Sequence, residues 1–299
     1  MCPPSPSPAP RPPAPPGLRI PADGGGGSRR NLKDAGYDVT VWNRTASKCD
    51  ELKSLGCAVA ATPAEVASSA DVTFGMLSTP EVAQEVFSGP AGVLEGLGAG
   101  KSYVDCSTVD VQCAASIAEA AEAKGARFLE APVSGSKGPA INGALIFLTG
   151  GSEDLYLELE HPLGIMGKKS YFFGPVGSGA KMKLIVNTIM GSMMVAFAEG
   201  LSLTEKLGLS QEDLIDVISH GAIATPMYAL KGPAMKDAKY PTAFPLKHQQ
   251  KDVRLALECA AGVDQKLPMS AAAMEMYKAA TARGLEDEDF SAVLEALKH

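Results

Sequence analysis

The sequence lacks the features of several broad classes of protein. Its six cysteines include no C-x-x-C pair, and its four histidines lie far apart, so we predict no structural metal site. No uninterrupted apolar run reaches the ~18 residues of a membrane span, since the longest candidate, residues 184–198, contains Asn187, Thr188 and Ser192. The formal net charge of −7 argues against nucleic acid as a partner. Without an apolar signal peptide, the cysteines are expected to be reduced thiols of an intracellular protein.

Proline is distributed very unevenly. Ten of the 22 prolines and five of the 31 glycines lie in the first 30 residues, which contain four arginines and one aspartate. Such a segment cannot bury enough apolar surface to offset the entropy lost on ordering, so we predict that residues 1–30 are disordered. A transit peptide is also basic and poor in acids. The compartment therefore stays open between cytoplasm, plastid and mitochondrion.

Strand and helix patterns alternate from residue 31 to about residue 176. A buried-strand pattern at residues 71–77 and an alanine-rich helical pattern at residues 111–124 are examples. Such alternation is typical of parallel β-α-β units with helices on both faces of the sheet. Residues 177–299 show helical patterns only, beginning with residues 180–207, which we expect to be mostly buried because they leave no polar face. The sequence thus predicts an α/β domain followed by an all-α domain.

The end of one predicted strand has polar residues that suit a nucleotide. Val41 and Trp42 are followed by Asn43, Arg44 and Thr45. In dinucleotide-binding folds this position meets the adenosine ribose, where an acid selects NAD and an arginine pairs with the 2′-phosphate of NADP. Arg44 therefore favours NADPH. Taken alone, these residues leave open the alternative of an exposed arginine in an ordinary loop.

Glycines at 174, 177 and 179 lead directly into the long helical segment. Closely spaced glycines let a backbone approach a ligand. Lys183 and Asn187 are four residues apart, so they share one helical face among apolar neighbours. A buried lysine is costly unless it is paired or used in chemistry, which points to function for Lys183. Lys181 is expected to extend to solvent instead.

Two other segments are candidates for ligand contact. Ser134 and Gly135 lie in the segment EAPVSGSK (130–137), where a strand ends in a small polar loop that could hold a carboxylate. The segment FPLKHQQKD (244–252) begins a helix on which Lys247 and Lys251 are four residues apart and could face an anion together. An ordinary turn and a solvated charged face are the respective alternatives.

One glycine-rich stretch is a decoy. Residues 163–167 read LGIMG, which resembles part of a dinucleotide loop. They follow a helix-like segment and precede Tyr171, Phe172 and Phe173, whereas a phosphate loop needs a strand before it and a helix after it. We therefore reject this stretch as a cofactor site.

Together, these motifs resemble those of the β-hydroxyacid dehydrogenases, most closely the plant-type glyoxylate/succinic semialdehyde reductases. The resemblance covers residues 31–299 and rests on VWNRT (41–45), EAPVSGSK (130–137), GPVGSGAKMKLIVN (174–187) and FPLKHQQKD (244–252). It implies a Rossmann-type domain and an all-α domain joined by a long helix, in a homodimer or homotetramer.

The resemblance also implies roles for individual residues. Lys183 matches the catalytic lysine, and Asn187 is expected to hold that lysine or the substrate oxygen in place. The substrate-binding matches are Ser134, Gly135, Phe244 and Asp252. The expected contacts with NADPH are Asn43, Arg44, Thr45, Met76, Leu77, Thr108 and Lys251. No metal is expected.

The implied reaction is reduction of a small aldehyde acid, glyoxylate or succinic semialdehyde, by hydride transfer from NADPH with a lysine as the acid. Two alternatives remain. One is a non-catalytic homologue that keeps the helical domain as a binding or oligomerisation module. The other is a 3-hydroxyisobutyrate dehydrogenase, which would usually use NAD, a preference that Arg44 opposes.

The N-terminus departs from the family pattern. Family members begin with a hydrophobic strand and a G-x-G-x-x-G loop, but here residues 20–30 read IPADGGGGSRR. The first strand is central in a Rossmann sheet, so its loss would leave its neighbours without ladder partners. We expect a truncated or misassembled gene model or a replaced exon. The alternative is that residues 24–27 serve as a makeshift phosphate loop before a shortened helix at Ser28.

Overall fold

The computed structural model describes residues 26–298, in which an α/β half is followed by a helical half. The α/β half contains α1 (Gly26–Asp34), β1 (Thr40–Val41), a 3-10 turn (Ala46–Cys49), α2 (Asp50–Ser54), β2 (Ala58–Val59), α3 (Pro63–Ser69), β3 (Val72–Gly75), α4 (Pro80–Ser88), α5 (Val93–Gly96), β4 (Ser102–Asp105), α6 (Val111–Ala123), β5 (Arg127–Glu130), β6 (Val133–Ser134), α7 (Lys137–Ile141), β7 (Leu145–Gly151), α8 (Glu153–Glu158), α9 (Glu160–Met166) and β8 (Gly167–Phe172). The helical half contains α10 (Ser178–Lys206), α11 (Gln211–His220), α12 (Pro226–Lys236), α13 (Leu246–Ala261), α14 (Pro268–Thr281) and a 3-10 segment (Phe290–Leu297). The predicted fold class, an α/β Rossmann-type domain followed by an all-α domain, is confirmed.

Local chemistry explains where many of the helices begin. Three of them start with a Thr-Pro pair: Thr62 precedes α3, Thr79 precedes α4 and Thr225 precedes α12. Each threonine side chain accepts a hydrogen bond from a first-turn amide, and the proline that follows has no N–H to leave unsatisfied. Asp110 and Ser152 cap α6 and α8 in the same way.

The described strands form two separate sheets. Strands β3, β4 and β5 are parallel to one another, and β5 pairs with β7 in antiparallel orientation. Strand β7 also pairs with β6 and β8. Strands β1 and β2 form a separate parallel pair in which Thr40 lies opposite Ala58. Within residues 26–298, therefore, β1 pairs only with β2, and β3 pairs only with β4. This break falls where the family pattern calls for the first strand.

The start of the described chain differs from the prediction. Residues 26–30 were expected to be disordered, but they form the beginning of α1, and Ser28 and Arg29 are buried. The helix contacts α7 and α9, and the Asn31 side chain donates to the carbonyl oxygen of Ala140 at 3.1 Å. These tertiary contacts outweigh the weak helix propensity of glycine. The prediction for residues 1–25 lies outside the described residues.

Helix α10 is the central element of the helical half. It packs on β7, α13, α14 and the final 3-10 segment, but its opposite face exposes Ile185, Ile189 and Leu203. The expectation that it is mostly buried is wrong, because its neighbours cover only one face. By length and composition alone, α10 could cross a membrane, since its most apolar stretch has a mean hydropathy of 1.5. Half of that stretch is buried in the protein. Residues 163–167 lie in α9 and at the start of β8, so a helix precedes a strand here, the reverse of the order that a phosphate loop needs.

Candidate active site

A cleft between the two halves collects most of the predicted site residues. It follows the carboxyl ends of β3 and β4, the edge at which open α/β sheets bind ligands. One cavity in this cleft has a volume of about 420 Å³. The residues lining it are Arg44, Lys48, Met76, Leu77, Ser78, Cys106, Thr108, Val133, Gly135, Lys183, Phe244, His248, Lys251 and Asp252. The site is thus assembled from residues that are distant in the chain.

A chain of polar contacts runs across the floor of this cavity. The Lys183 ammonium donates to Asn187 Oδ1 at 2.9 Å, and Asn187 Nδ2 donates to Asp252 Oδ2 at 2.6 Å. Asp252 Oδ1 lies 2.9 Å from the Lys251 ammonium, which also donates to the carbonyl oxygen of Thr108. The network orients Lys183 through Asn187 and ties α13 both to α10 and to the loop after β4.

Lys183 is suited to act as an acid near neutral pH. Its side chain is buried, with 6% of the residue exposed. Burial lowers the pKa of Lys183 to about 8, against a raising effect of the Asp252 carboxylate, and the Lys251 ammonium lowers it further. The ammonium form therefore predominates at pH 7, and it releases its proton more readily than an exposed lysine does.

The prediction that Lys181 is exposed is confirmed.

Sequence reasoning missed Gln249. It is fully buried, and its Nε2 donates to the backbone carbonyl oxygen of Asn187 at 2.9 Å. A Cβ at Gly191 would lie only 2.4 Å from that nitrogen, so the glycine leaves room for the contact. Its position on the helix, three residues before Asp252, was the available signal, because both side chains face α10.

Two exposed cations also line the cavity. Arg44 follows β1, Lys48 lies four residues further on, and both are exposed at the rim. Asn43 is buried instead, and its Oδ1 accepts a hydrogen bond from the Thr45 amide at 2.8 Å. Asn43 and Thr45 thus shape the turn that presents Arg44 and do not line the cavity. Lys48 was missed, although its spacing of four from Arg44 would have indicated it.

The predicted carboxylate-binding pair is only partly in the cavity wall. Gly135 lines it and has φ +125, a backbone conformation that other residues rarely adopt. Ser134 is half-buried in β6 and does not line this cavity, although Val133 beside it does. Among the predicted substrate residues, the structure brings Gly135, Phe244 and Asp252 together with Lys183.

Two glycines at the start of α10 allow close packing against neighbouring elements. Gly174, Gly177 and Gly179 do not line the cleft. A Cβ at Gly179 would lie 2.3 Å from the carbonyl oxygen of Leu148, and one at Gly177 would lie 2.8 Å from Val111 Cγ1. Gly179 and Gly177 therefore bring α10 close to β7 and α6, whereas a Cβ at Gly174 would meet nothing within 4 Å. The approach of these glycines to a ligand stays a prediction.

A second cavity of about 530 Å³ adjoins the first and extends the cleft. The two share Met76, Val133, Gly135 and Phe244. Gly27 and Arg30 of α1 line the second cavity together with Lys137. Arg30 and Lys137 are cations that suit phosphate groups, although the Glu51 carboxylate lines the same cavity, and Arg44 and Lys48 supply further positive charge at the rim of the first cavity. The donors present therefore fit an elongated, anionic dinucleotide.

No metal centre is evident in the described part of the chain. Residues 26–298 contain no group of three or more histidine, cysteine, aspartate or glutamate side chains placed to hold an ion. Cys49, Cys57, Cys106 and Cys113 are buried, and they form no disulfide among the described residues.

Comparison with known proteins gives two family matches and several close relatives. Residues 24–174 match the NAD binding domain of 6-phosphogluconate dehydrogenase, and residues 177–297 match the NAD-binding domain of NADP-dependent 3-hydroxyisobutyrate dehydrogenase. The chain is 56% identical to Arabidopsis thaliana glyoxylate/succinic semialdehyde reductase 2, chloroplastic, over 90% of this chain and 75% of that protein. It is 52% identical to reductase 1 of the same plant, over 90% of this chain and 93% of that protein. A crystal structure of 3-hydroxyisobutyrate dehydrogenase from Salmonella typhimurium superposes with a TM-score of 0.86 at 25% identity, over 93% of this chain and 99% of that one.

Proposed function

The chain belongs to the family of NAD(P)-dependent β-hydroxyacid dehydrogenases, and from this membership we propose that it reduces small aldehyde acids with NADPH. Glyoxylate and succinic semialdehyde are the proposed substrates, since two close relatives bear these names. The observation that carries the proposal is Lys183, a buried ammonium in the wall of the cleft, held by Asn187 and Asp252.

In this proposal Lys183 hydrogen-bonds the aldehyde oxygen. The hydride for the aldehyde carbon is supplied by the cofactor when it is bound. The ammonium stabilises the negative charge that develops on the oxygen and then gives it a proton. Asn187 keeps the ammonium aimed into the cavity through its 2.9 Å contact. Since the pKa of Lys183 is about 8, the reduction should slow as the pH rises through 8 and the acid is lost.

The substrate carboxylate is assigned to the loop after β6. The amide of Gly135 lines the cavity, and the Ser134 hydroxyl lies beside it in the chain. Phe244 lines the same cavity, and its assigned role is to shield the reacting carbon from water. Fixing the carboxylate in this way orients the aldehyde for attack, which lowers the entropic part of the barrier.

NADPH is proposed over NADH because the rim of the cleft carries Arg44 and Lys48, and both side chains are exposed. A 2′-phosphate there would make charge-assisted hydrogen bonds. Met76, Leu77, Thr108 and Lys251 are assigned to the same cofactor, since all four line the cavity. From the family resemblance, we also propose that the enzyme forms homodimers or homotetramers inside the cell.

Replacing Lys183 tests the assignment. Steady-state assays with NADPH and each aldehyde should show kcat of Lys183→Ala reduced about 10²- to 10⁴-fold, as is typical for loss of a general acid, with KM for NADPH little changed. Lys181→Ala, two residues away on the same helix and exposed, is the matched control and should retain activity.

The same assays separate the alternatives. Near-normal turnover in Lys183→Ala would sink the mechanism. Absence of turnover and of NADPH binding in the unchanged protein would favour the non-catalytic homologue. Faster turnover of 3-hydroxyisobutyrate with NAD than of either aldehyde with NADPH would favour the dehydrogenase.

A further inference from the structure

A buried glutamate connects the central sheet to the helix that carries Lys183. Glu130 is the last residue of β5 and is 2% exposed. Its Oε1 accepts a hydrogen bond from the amide of Gly179, the second residue of α10, at 2.7 Å. First-turn amides of a helix have no partner within the helix, and their dipoles attract negative charge. Glu130 thus supplies from another element the cap that α10 does not get from Gly177, its own N-cap residue.

The surroundings of this carboxyl group are shaped to admit it. A Cβ at Gly150 would lie 2.6 Å from Glu130 Oε1, and a Cβ at Gly179 would lie 3.2 Å from it. The first position belongs to β7 and the second to α10. Because both are glycines, the sheet and the helix close tightly around one carboxyl group. A larger residue at either position would push the two elements apart.

Opposing effects act on the pKa of the Glu130 carboxyl group. Burial raises the pKa of Glu130 to about 7, the backbone N–H groups of Gly179, Ala180 and Gly177 lower it, and the nearby Asp105 raises it. Asp105 lies opposite Glu130 in the β4–β5 register and is 1% exposed. Burying the Glu130 carboxyl group costs free energy unless its contacts compensate, which points to a role for it.

Lys183 lies one helical turn beyond the capped amide. Gly179 and Lys183 are four residues apart on α10, so a shift of the first turn moves Lys183 with it. We propose that Glu130 is a positioning residue, whose carboxyl group fixes the first turn of α10 against the sheet and thereby sets the place of Lys183 in the cleft. Its effect on turnover rests on the function proposed above. Its effect on the burial of Lys183 does not.

The test compares Glu130→Ala with Glu130→Gln, which keeps an oxygen acceptor for the Gly179 amide. Competitive acetylation with acetic anhydride over a range of pH, read out by mass spectrometry, reports the titration of individual lysines in the protein without cofactor. In Glu130→Ala we expect the pKa of Lys183 to rise from about 8 toward the ordinary lysine value of ~10.4, because its burial is relaxed. Glu130→Gln should stay close to the unchanged protein, and Lys181 should titrate identically in every variant.

Activity gives the second measurement. Glu130→Ala should lower kcat at least about tenfold with a smaller change in KM for NADPH, because a displacement of Lys183 by about 1 Å is enough to slow the reaction strongly. Glu130→Gln should recover most of that loss. Glu122→Ala, at an exposed position on α6, is the control. If Glu130→Ala does not fold, Gly179→Ala displaces the same turn from the helix side and should shift Lys183 in the same direction.

The outcomes are distinguishable. Unchanged titration of Lys183 in folded Glu130→Ala, or in Gly179→Ala, would overturn the proposal. A shifted titration in a protein that reduces neither aldehyde would support the positioning role while contradicting the proposed function.

Discussion

In the helical half of the molecule, a buried ion pair joins several elements, whereas in the α/β half the described strands form two separate sheets. In the helical half, Asp289 Oδ2 accepts from the Lys231 ammonium at 2.7 Å and from the amides of Ala243 and Phe244 at 3.1 and 3.2 Å. Its Oδ1 accepts from the Ser291 hydroxyl at 2.7 Å. One carboxylate therefore joins α12, the last 3-10 segment and the loop that presents Phe244 to the cleft.

Within residues 26–298, the first two strands of the α/β half pair only with each other. Among the described residues, β1 has one strand partner and ends at the turn that carries Arg44. Trp42 ties this end to the loop after β2, donating from Nε1 to the carbonyl oxygen of Ala61 at 3.1 Å. Lys183 and Asn187, which are proposed for chemistry, thus belong to the helical half, while Arg44, which is proposed to select the cofactor, follows a strand with one described partner.

The largest effect is expected at the buried ion pair. Asp289→Ala leaves the Lys231 ammonium without its partner in a buried site, which typically costs about 3–5 kcal/mol of unfolding free energy. Urea unfolding followed by circular dichroism measures the loss. Glu275→Ala, which removes an exposed ion pair with Lys278, is the control and should cost under about 1 kcal/mol. Equal costs for the two variants would show that the helical half does not depend on Asp289.

An intermediate effect is expected in the α/β half, at the proposed cofactor contact. Arg44→Glu should weaken NADPH binding about ten- to hundredfold, the worth of a hydrogen bond to a charged group, and leave NADH binding nearly unchanged. Trp42 is the only tryptophan and lies two residues from Arg44, so its fluorescence can follow the titration. Lys53→Glu, on an exposed part of α2, controls for net charge. An unchanged preference for NADPH would remove Arg44 from the cofactor site.

The smallest effect compares two valines of the same core cluster. Val41 in β1 and Val104 in β4 are both fully buried, but β4 has a strand on each side. Truncation to alanine should cost about 1–3 kcal/mol at each position, and about 1 kcal/mol less at Val41, because a strand with one partner relaxes around the lost methyl groups. Equal costs, together with equal hydrogen-exchange protection of the two strands, would show that the interruption does not loosen the sheet.

Much of this architecture could be predicted from local patterns. The alternation of strands and helices, the change to helices after residue 177 and the threonine caps follow from propensity and hydrogen bonding within a few residues. Contacts such as that between α1 and α7 could not be predicted, because Gly26 and Gly27 disfavour a helix and only their neighbours stabilise one. The burial of α10 was overestimated for a related reason: periodicity shows which residues are apolar, not which face is covered.

The site divides in the same way. The spacing of Lys183 and Asn187 is a property of the helix repeat, so the sequence alone determined that these side chains would meet. Asp252, 65 residues beyond Asn187, and Glu130, 49 residues before Gly179, reach the same helix only because the two halves pack against it. The pKa of Lys183 was likewise decided by tertiary structure, since burial and the charges of Asp252 and Lys251 set it. Residue type and short-range spacing carry the capacity for chemistry, while the exclusion of water and the approach of distant charges determine how that capacity is used.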